Sequence, residues 1–399
     1  MTEFRTVAVM SLGFGLVGID RFLISTLYPV IARDLHLDYG DIGLITGALA
    51  IAWGIAALLM GNLSDRVGRR RVLVLSMVVF SLLIGASGLA TGLLTLVAVR
   101  IVMGFADGAY TPVSIASTLE ASAPQRTGLN IGIQQMMMPL FGLGLAPLFI
   151  AFALHYIEWR WVFSLFVLPG LALAWAVGRV IPSSRTAPVA PRNAWSGWRT
   201  VLGIANVRIA ALMMLCWLTC LITTSAFMPN YLIDHLQLSP QQMGIVMSAI
   251  GLGATAGTLA LPWLSDKIGR KRVMLIASCG VCAALLLLDH AAAQVGSLFA
   301  YLFAVHFFNN ALIALTVGPL STESVPPALM ATSSGLVIAV GELFGGGVAP
   351  VIVGHLAQHL GIDRVLWLPI VMMAVGFCLC TIIRDIRVRP PPISTEVLP

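Results

Sequence analysis

The sequence predicts an all-α integral membrane protein with twelve transmembrane helices arranged as two pseudo-symmetric six-helix bundles. Three observations lead there: the composition, the number of apolar runs, and an internal repeat of half the chain length. Of 399 residues, 58% are hydrophobic and 10% charged, with a mean hydropathy of +0.95. Soluble domains carry about 25% charged residues, so a water-soluble enzyme is the poorest reading. A span needs about 20 apolar residues; twelve of them leave room for ends and connections and for no large soluble domain.

Apolar runs separated by charged or Pro/Gly-rich breaks fall at 6–31, 41–62, 72–91, 93–117, 127–153 and 160–181, then at 207–232, 241–263, 273–290, 294–318, 330–357 and 364–383. The first is too long for the apolar core of a cleavable signal and carries Asp20 and Arg21 at its middle. An even number of spans puts both termini on one side. Assigning that side to the cytoplasm places 18 of the 23 basic residues inside, among them Arg5, Arg126, Arg208 and Arg384, as the positive-inside rule requires. The net charge of +6 therefore belongs to the membrane surface and not to a nucleic-acid partner. The stretch after the sixth run holds Pro182, Pro188 and Pro191 with arginines from Arg179 to Arg199, and reads as a basic linker. The expected organisation is residues 1–181 as an N-terminal bundle, 182–206 as a cytoplasmic linker with Trp195 and Trp198 at the interface, and 207–399 as a C-terminal bundle with a short tail.

The halves repeat. A shift of 201 lays Leu63-Ser-Asp65-Arg66-Val-Gly68-Arg69-Arg70-Arg71-Val72 on Leu264-Ser-Asp266-Lys267-Ile-Gly269-Arg270-Lys271-Arg272-Val273. A shift of 203 lays Glu120, Pro124, Gly132, Phe141, Gly144, Ala146 and Pro147 on Glu323, Pro327, Gly335, Phe344, Gly347, Ala349 and Pro350. Two matches at nearly one spacing imply two parallel bundles related by an axis along the membrane normal.

Gly61-Asn-Leu-Ser-Asp65-Arg66-Val-Gly68-Arg69-Arg70-Arg71, between the second and third runs, resembles the signature loop of the major facilitator superfamily. Ser265-Asp266-Lys267-Ile-Gly269-Arg270-Lys271-Arg272 resembles its second copy, and the resemblance covers essentially the whole chain. It implies the major facilitator fold, a secondary transporter working as a monomer, and a structural role for these loops as gating latches. Asp65, at a helix end, can accept from the arginines of its own loop and face the positive end of a helix from the other half. Gly61 and Gly68 permit close approach and a tight turn. In the family this network holds the outward-facing state. Plain topology charges would explain the arginines but not the paired Asp and Gly positions.

Ionisable groups at mid-span are functional candidates, because a charge there costs roughly 2.5–3.5 kcal/mol on insertion scales. Asp20, Arg21 and Asp107 lie near the midplane of the first and fourth runs, and Arg100 sits two turns from Asp107 on the same helix face. Adjacent Asp20 and Arg21 point about 100° apart and cannot face one partner together. Ile19-Asp20-Arg21 with Arg100-x-x-x-Gly104-x-x-Asp107 resembles the organic anion:proton symporters of the superfamily, the anion:cation symporter group. The resemblance implies that Arg21 binds a substrate carboxylate and that the acid at Asp107 carries the proton. Asp107 replaces the usual Glu, and Phe22 stands where polar residues are common. In the expected cycle Arg21 is neutralised by Asp107 or Asp20 until an incoming carboxylate displaces the acid, which then takes a proton. A structural ion pair that only fixes the two helices is the alternative.

The second half supplies polarity without a mid-span cation: Trp217, Thr223, His306, Asn309 and Asn310 are candidates for hydrogen-bonding the uncharged part of a substrate, with helix packing as the competing role. Glu342, followed by Gly345, Gly346 and Gly347, is a lone intramembrane acid that reads as a second protonation site, a hinge contact or a structural pair. The six cysteines lie inside apolar segments and act as small hydrophobic filler. No metal, cofactor or enzymatic constellation is expected, and the proton gradient is the energy source. The favoured function is proton-coupled symport of a small organic anion, a monocarboxylate because Arg21 has no second cation beside it, across a bacterial inner membrane. A proton-driven drug or metabolite exporter of the same fold is the main rival and a transporter-like sensor a remote one. The Gly142-Leu-Gly144-Leu-Ala146-Pro147 stretch keeps the proline of exporter motifs but not the glycine before it.

Overall fold

A backbone inside hydrocarbon has no water to bond, so apolar runs of this length close their hydrogen bonds internally as helices. The computed structural model describes the backbone of residues 2–123, 125–182, 194–326 and 329–383; the side chains of 2, 59–67, 194–197 and 331 lie outside the described set. Among the described residues twelve helices are long and apolar enough to cross a membrane: α1 Glu3–Leu35, α2 Tyr39–Leu58, α3 Arg69–Ser87, α4 Leu93–Ala121, α5 Thr127–Ala153, α6 Trp159–Val180, α7 Ala205–His235, α8 Pro240–Ile268, α9 Arg270–Asp289, α10 Val295–Leu320, α11 Thr332–Leu360 and α12 Ile362–Ile382. The chain is an integral membrane protein. We call the end of the bundle that carries Glu3 and Ile382 the terminal face, and the other the opposite face.

The repeat in sequence is a repeat in packing. α2 lies along α4 as α8 lies along α10, and α3 packs on α4 as α9 packs on α10. The turns of the two signature loops match as well: Gly68 and Gly269 both sit at φ +99°, a backbone conformation that L side chains rarely adopt, with open space around each Cβ position. α1 and α7 are the innermost helices, with 83% of the most apolar window of each buried.

Of four π-helical stretches among the described residues, two interrupt equivalent helices, Leu140–Leu145 in α5 and Gly341–Val348 in α11. Each runs into an Ala-Pro pair, Ala146-Pro147 and Ala349-Pro350. The missing proline N–H leaves a carbonyl of the preceding turn without its usual donor, and a wider turn re-registers the ladder there. Repeated proline thus becomes repeated helix distortion, and in α11 the distorted turn carries Glu342.

The halves meet along α1 with α7, α2 with α11, and α5 with α8. Gly251 of α8 lies directly on the backbone of Leu143 and Gly144, where any Cβ would collide. At the opposite face Asp234 of α7 ties the halves together. It takes Arg33 Nη2 at 3.4 Å and the Tyr39 hydroxyl at 3.1 Å, while Tyr39 N donates to Gln358 Oε1 at 3.2 Å. Gln241 and His155 meet across α8 and α5 beside them. Among the described residues the terminal face carries ion pairs within each half: Arg69 with Glu120, and Arg270 with Asp266 at 2.5 Å and Glu323 at 3.1 Å. The protein is therefore closed at its opposite face.

Two sequence expectations change here. The stretch 182–206 contains a helix at Ala194–Leu202, and Trp198 packs partly buried against the core; residues 183–193 and the Trp195 side chain lie outside the described set. α1 runs to Leu35, past the end of the first apolar run at 31, so Arg33 is a helical residue of the closure.

Gly251→Val should wedge α5 from α8 at a cost of about 1–3 kcal/mol to the closed form. Spin labels at Leu37→Cys and Gln237→Cys, in a background with the six native cysteines replaced, should report a longer inter-half distance than without the valine.

Candidate functional site

Arg21 lies at the middle of α1, where a guanidinium without a counter-charge is untenable. Its partner is Glu342 of α11, in the other half: Nη1 donates to Oε1 at 3.1 Å and Nη2 to Oε2 at 2.7 Å, a two-pronged fork with both side chains more than nine-tenths buried. The pairing expected from sequence, Arg21 with Asp107 or Asp20, is not the one formed. The reason is angular. Asp20 and Arg21 are neighbours on α1, so when Asp20 turns to α4 inside its own half, Arg21 is carried to face the partner half.

Three features of the surroundings fit the fork. The π-helical turn presents Glu342, and Gly346 one turn on leaves it space: a Cβ there would stand 2.9 Å from Glu342 Oε2 and 3.8 Å from Arg21 Nη2. The Trp53 ring of α2 lies 4.5 Å from the guanidinium carbon and Phe22 5.7 Å, giving the cation aromatic faces in place of water. A small cavity of about 20 Å³, room for about one water, opens beside Arg21 and is lined by Ser25, Thr46, Leu49, Ile222 and Ser225. It sets the guanidinium beside hydroxyls and apolar walls from both halves.

The other charges form a second cluster inside the N-terminal half. Arg100 of α4 is 1% exposed; its Nη1 donates to the main-chain oxygen of Asp20 at 2.9 Å and stands 3.8 Å from Asp20 Oδ1. The Asp20 and Asp107 carboxyl groups meet across α1 and α4. None of their four oxygens takes a hydrogen bond from any other described residue. Arg100 and Asp107, two turns apart on one face, are together as their spacing implies.

The polar residues of α7 and α10 bond to each other. Trp217 Nε1 donates to Thr316 Oγ1 at 3.0 Å, and Asn309 Nδ2 to Trp217 O at 3.1 Å. His306 Nε2 meets Thr224 Oγ1 at 3.1 Å, Asn310 Nδ2 donates to His306 O, and Thr223 bonds Thr219 O one turn back. All five candidates are thus engaged within the C-terminal half, and Ser225, not Thr223, faces the cavity beside Arg21.

Of the latch residues, Asp266 pairs with Arg270 of its own loop, and Arg270 reaches on to Ser265 and Glu323. Lys267 sits 3.6 Å over the Trp263 ring. Arg69 with Glu120 is the pseudo-symmetric counterpart of Arg270 with Glu323. The side chains of Gly61, Asp65 and Arg66 fall outside the described residues.

This architecture has relatives. The family model of the Major Facilitator Superfamily matches residues 10–233 and 215–398. The chain belongs to that superfamily. It is a secondary transporter and not an enzyme. It is 29% identical over 330 residues to the 3-(3-hydroxy-phenyl)propionate transporter of Escherichia coli (strain K12), covering 82% of this chain and 80% of that one. It is 25% identical to a probable 4-methylmuconolactone transporter of Cupriavidus pinatubonensis, covering 88% and 83%. Identity is 26% to a multi-drug resistance efflux pump PmrA homolog of Lactococcus lactis, covering 68% and 69%. In structure it matches a bacterial homolog of the human lysosomal transporter Spinster with a TM-score of 0.79 at 17% identity, over 95% of this chain and 96% of that one.

Sequence reasoning identified Arg21, Asp20, Arg100 and Asp107 by their depth, and missed the fork to Glu342, the Trp53 face and the space left by Gly346. One signal was available: two mid-span arginines stand against three mid-span acids, and of the acids only Glu342 lies in the other half.

An amide in place of either carboxyl donates a hydrogen bond to the one that remains, so Asp20→Asn and Asp107→Asn should each stay within about 1 kcal/mol of the parent in thermal denaturation. The double variant leaves Arg100 without a counter-charge and should lose roughly 3–5 kcal/mol.

Proposed function

We propose that the protein carries a small organic monocarboxylate together with a proton across a bacterial inner membrane by alternating access, with both termini in the cytoplasm. The observation that carries this reading is the buried Arg21 at the junction of the halves, held by a carboxylate fork and opening on a cavity of hydroxyl and apolar groups. A cation that already accepts a carboxylate from the partner half is a receptor for one from solution. The positive-inside count supports the orientation, with the closed face then looking outward.

Charge balance supports the coupling. Arg21 and Arg100 carry two positive charges; Glu342, Asp20 and Asp107 carry three negative ones if all are ionised. One proton makes the empty site neutral. A monoanion entering the site restores the deficit, so one further proton must enter with it for the buried group to stay neutral. Glu342 is the acid placed to take it, because it is the one whose cation the anion claims. Relatives named for the transport of an aromatic acid and a muconolactone support a substrate that combines polar oxygens with an unsaturated, apolar body.

Proton-driven export is the second reading, favoured by similarity to an efflux pump. Arg21 argues against an apolar cationic drug as its cargo, and the direction of flux separates the two.

In proteoliposomes, 3-(3-hydroxyphenyl)propionate should accumulate when the outside is acidified and should not be expelled against proton flow. Arg21→Ala should weaken its binding about 30-fold or more, the cost of removing one partner of a buried charge-assisted pair. Binding unchanged in that variant would remove Arg21 as the receptor.

A further inference from the structure

A cleft opens at the opposite face, beside the closure. Resting on the reading of the cargo as a small organic carboxylate, we propose that this cleft is a second anion site, separate from Arg21. In it Arg33 lets go of Asp234 and takes the carboxylate, while the apolar body of the anion lies against Leu154, Tyr156 and Ile157. Under the orientation given above, this is where an anion arriving from outside is first held.

Size and lining fit that occupant. The cleft spans about 840 Å³ between the end of α1, the connection from α5 to α6, and the start of α8. Small-molecule sites measure about 300–1,000 Å³, whereas the cavity beside Arg21, at about 20 Å³, holds about one water. In this form of the protein an anion has room at the face and not at the centre. Leu154 and Ile157 supply apolar wall, and Tyr156, 75% exposed, supplies a ring that a ligand can reach.

Two arginines line the cleft, and they differ in what they already hold. Arg160 is fully engaged: Nη1 donates to Gly88 O at 3.1 Å and Ala90 O at 2.8 Å, Nη2 donates to Asp34 Oδ2 at 2.9 Å, and the guanidinium carbon stands 4.3 Å over the Trp159 ring. It fastens the turn between α3 and α4 to the start of α6. Arg33, with its side chain 71% exposed, makes one hydrogen bond among the described residues, from Nη2 to Asp234 Oδ1 at 3.4 Å. A guanidinium has five donors in a planar fork, so Arg33 keeps an edge for a second carboxylate. Asp234 does not depend on Arg33, because its Oδ2 accepts from the Tyr39 hydroxyl at 3.1 Å and from Asn230 Nδ2 at 2.9 Å. Moving Arg33 onto an anion exchanges one long, exposed contact for a two-pronged one and leaves no carboxylate bare.

The acids of the cleft do not close it to an anion. Asp34 is held by Arg160 and by Trp159 Nε1 at 3.2 Å, and Glu158 stands at the N-terminal end of α6, whose positive pole offsets it. The two arginines of the lining balance its two acids. His155 adds polarity, with Nδ1 on Ala151 O at 3.0 Å and Nε2 against Gln241 of the other half. A neutral lining with one loosely engaged guanidinium gives a weak, exchangeable anion contact, which is what first capture requires.

Equilibrium binding of 3-(3-hydroxyphenyl)propionate, benzoate and acetate to the full-length protein tests the site. The parent should bind the two aromatic probes in two phases, a tight one that Arg21→Ala removes and a weak one that survives it. Added to Arg21→Ala, Arg33→Gln should weaken the remaining phase about ten-fold or more, the loss of a charge-assisted carboxylate contact. Asp234→Asn breaks the same ion pair but frees Arg33, so in that background it should tighten the phase about two-fold or more, an internal competitor having been removed. Acetate, without an apolar body, should bind the cleft at least about three-fold more weakly than benzoate. Raising salt from about 0.05 to 0.5 M should weaken this phase and spare the tight one, because only the exposed contact is screened.

One phase in the parent, with nothing left in Arg21→Ala, overturns the cleft and leaves Arg21 as the receptor. Loss of the weak phase in Asp234→Asn as well as in Arg33→Gln marks Arg33 as a tie of the closure alone and overturns it too. So do a weak phase indifferent to Arg33→Gln and equal binding of acetate and benzoate. If Arg21→Ala does not fold, the weak phase of the parent, read in the single variants Arg33→Gln and Asp234→Asn, decides by the same signs. Parental binding in Arg21→Ala that vanishes with Arg33→Gln upholds the cleft and defeats the reading of Arg21 as receptor. A parent that binds none of the probes defeats both.

Discussion

A guanidinium in the middle of a bilayer cannot be left without a counter-charge, and much of this structure follows from where Arg21 obtains one. In water the two halves of the chain would have little electrostatic reason to meet at that depth. In hydrocarbon the fork between Arg21 and Glu342 is the alternative to several kcal/mol of uncompensated charge. The π-helical turn of α11, the small residue one turn beyond Glu342 and the ring of Trp53 all serve to make that contact short and dry.

The same constraint divides the buried charges into two groups with different mechanical fates. Arg100, Asp20 and Asp107 settle their account inside one bundle. Arg21 and Glu342 settle theirs across the junction. Bodies that rock against each other preserve the first group and disturb the second, so only the second can report to the site which state the protein is in. The closure at the opposite face, organised by Asp234 with Arg33 and Tyr39, belongs to the same class of inter-half contact.

Depth and charge count were legible in the sequence because they are one-dimensional quantities. An apolar run of given length spans a bilayer whatever it packs against, and an arginine at its centre is at mid-membrane whichever helix it faces. The repeated Gly68 and Gly269 turns and the repeated Arg-Glu pairs at the terminal face were also readable, since a shift of about half the chain superposes them. The partner of Arg21 was not. Periodicity separates Asp20 from Arg21 by a third of a turn but does not say which of the two faces the home bundle, and the nearer candidate, Asp107, was the wrong one. The polar residues of α7 and α10 show the same limit. Trp217, His306 and Asn309 form a row on paper; in the fold Trp217 donates to Thr316, His306 meets Thr224 and Asn309 donates to the Trp217 main chain, while His306 Nδ1 and Asn309 Oδ1 have no partner among the described residues.

By itself the sequence determined the twelve spans, the two-fold repeat, the side that carries the basic loops and the short roster of charges inside the membrane. These follow from local composition and from the cost of taking polar groups out of water, terms that need no knowledge of neighbours. The tertiary structure decided how that roster pairs: Asp20 and Asp107 with Arg100 inside one half, Glu342 with Arg21 between halves, and the closure at the opposite face. Pairing depends on the rotation of each helix about its own axis and on which backbones come close enough to touch. Those are set by packing residues such as Gly251, which lies on the backbone of Leu143 and Gly144, and Gly346, which leaves room beside Glu342.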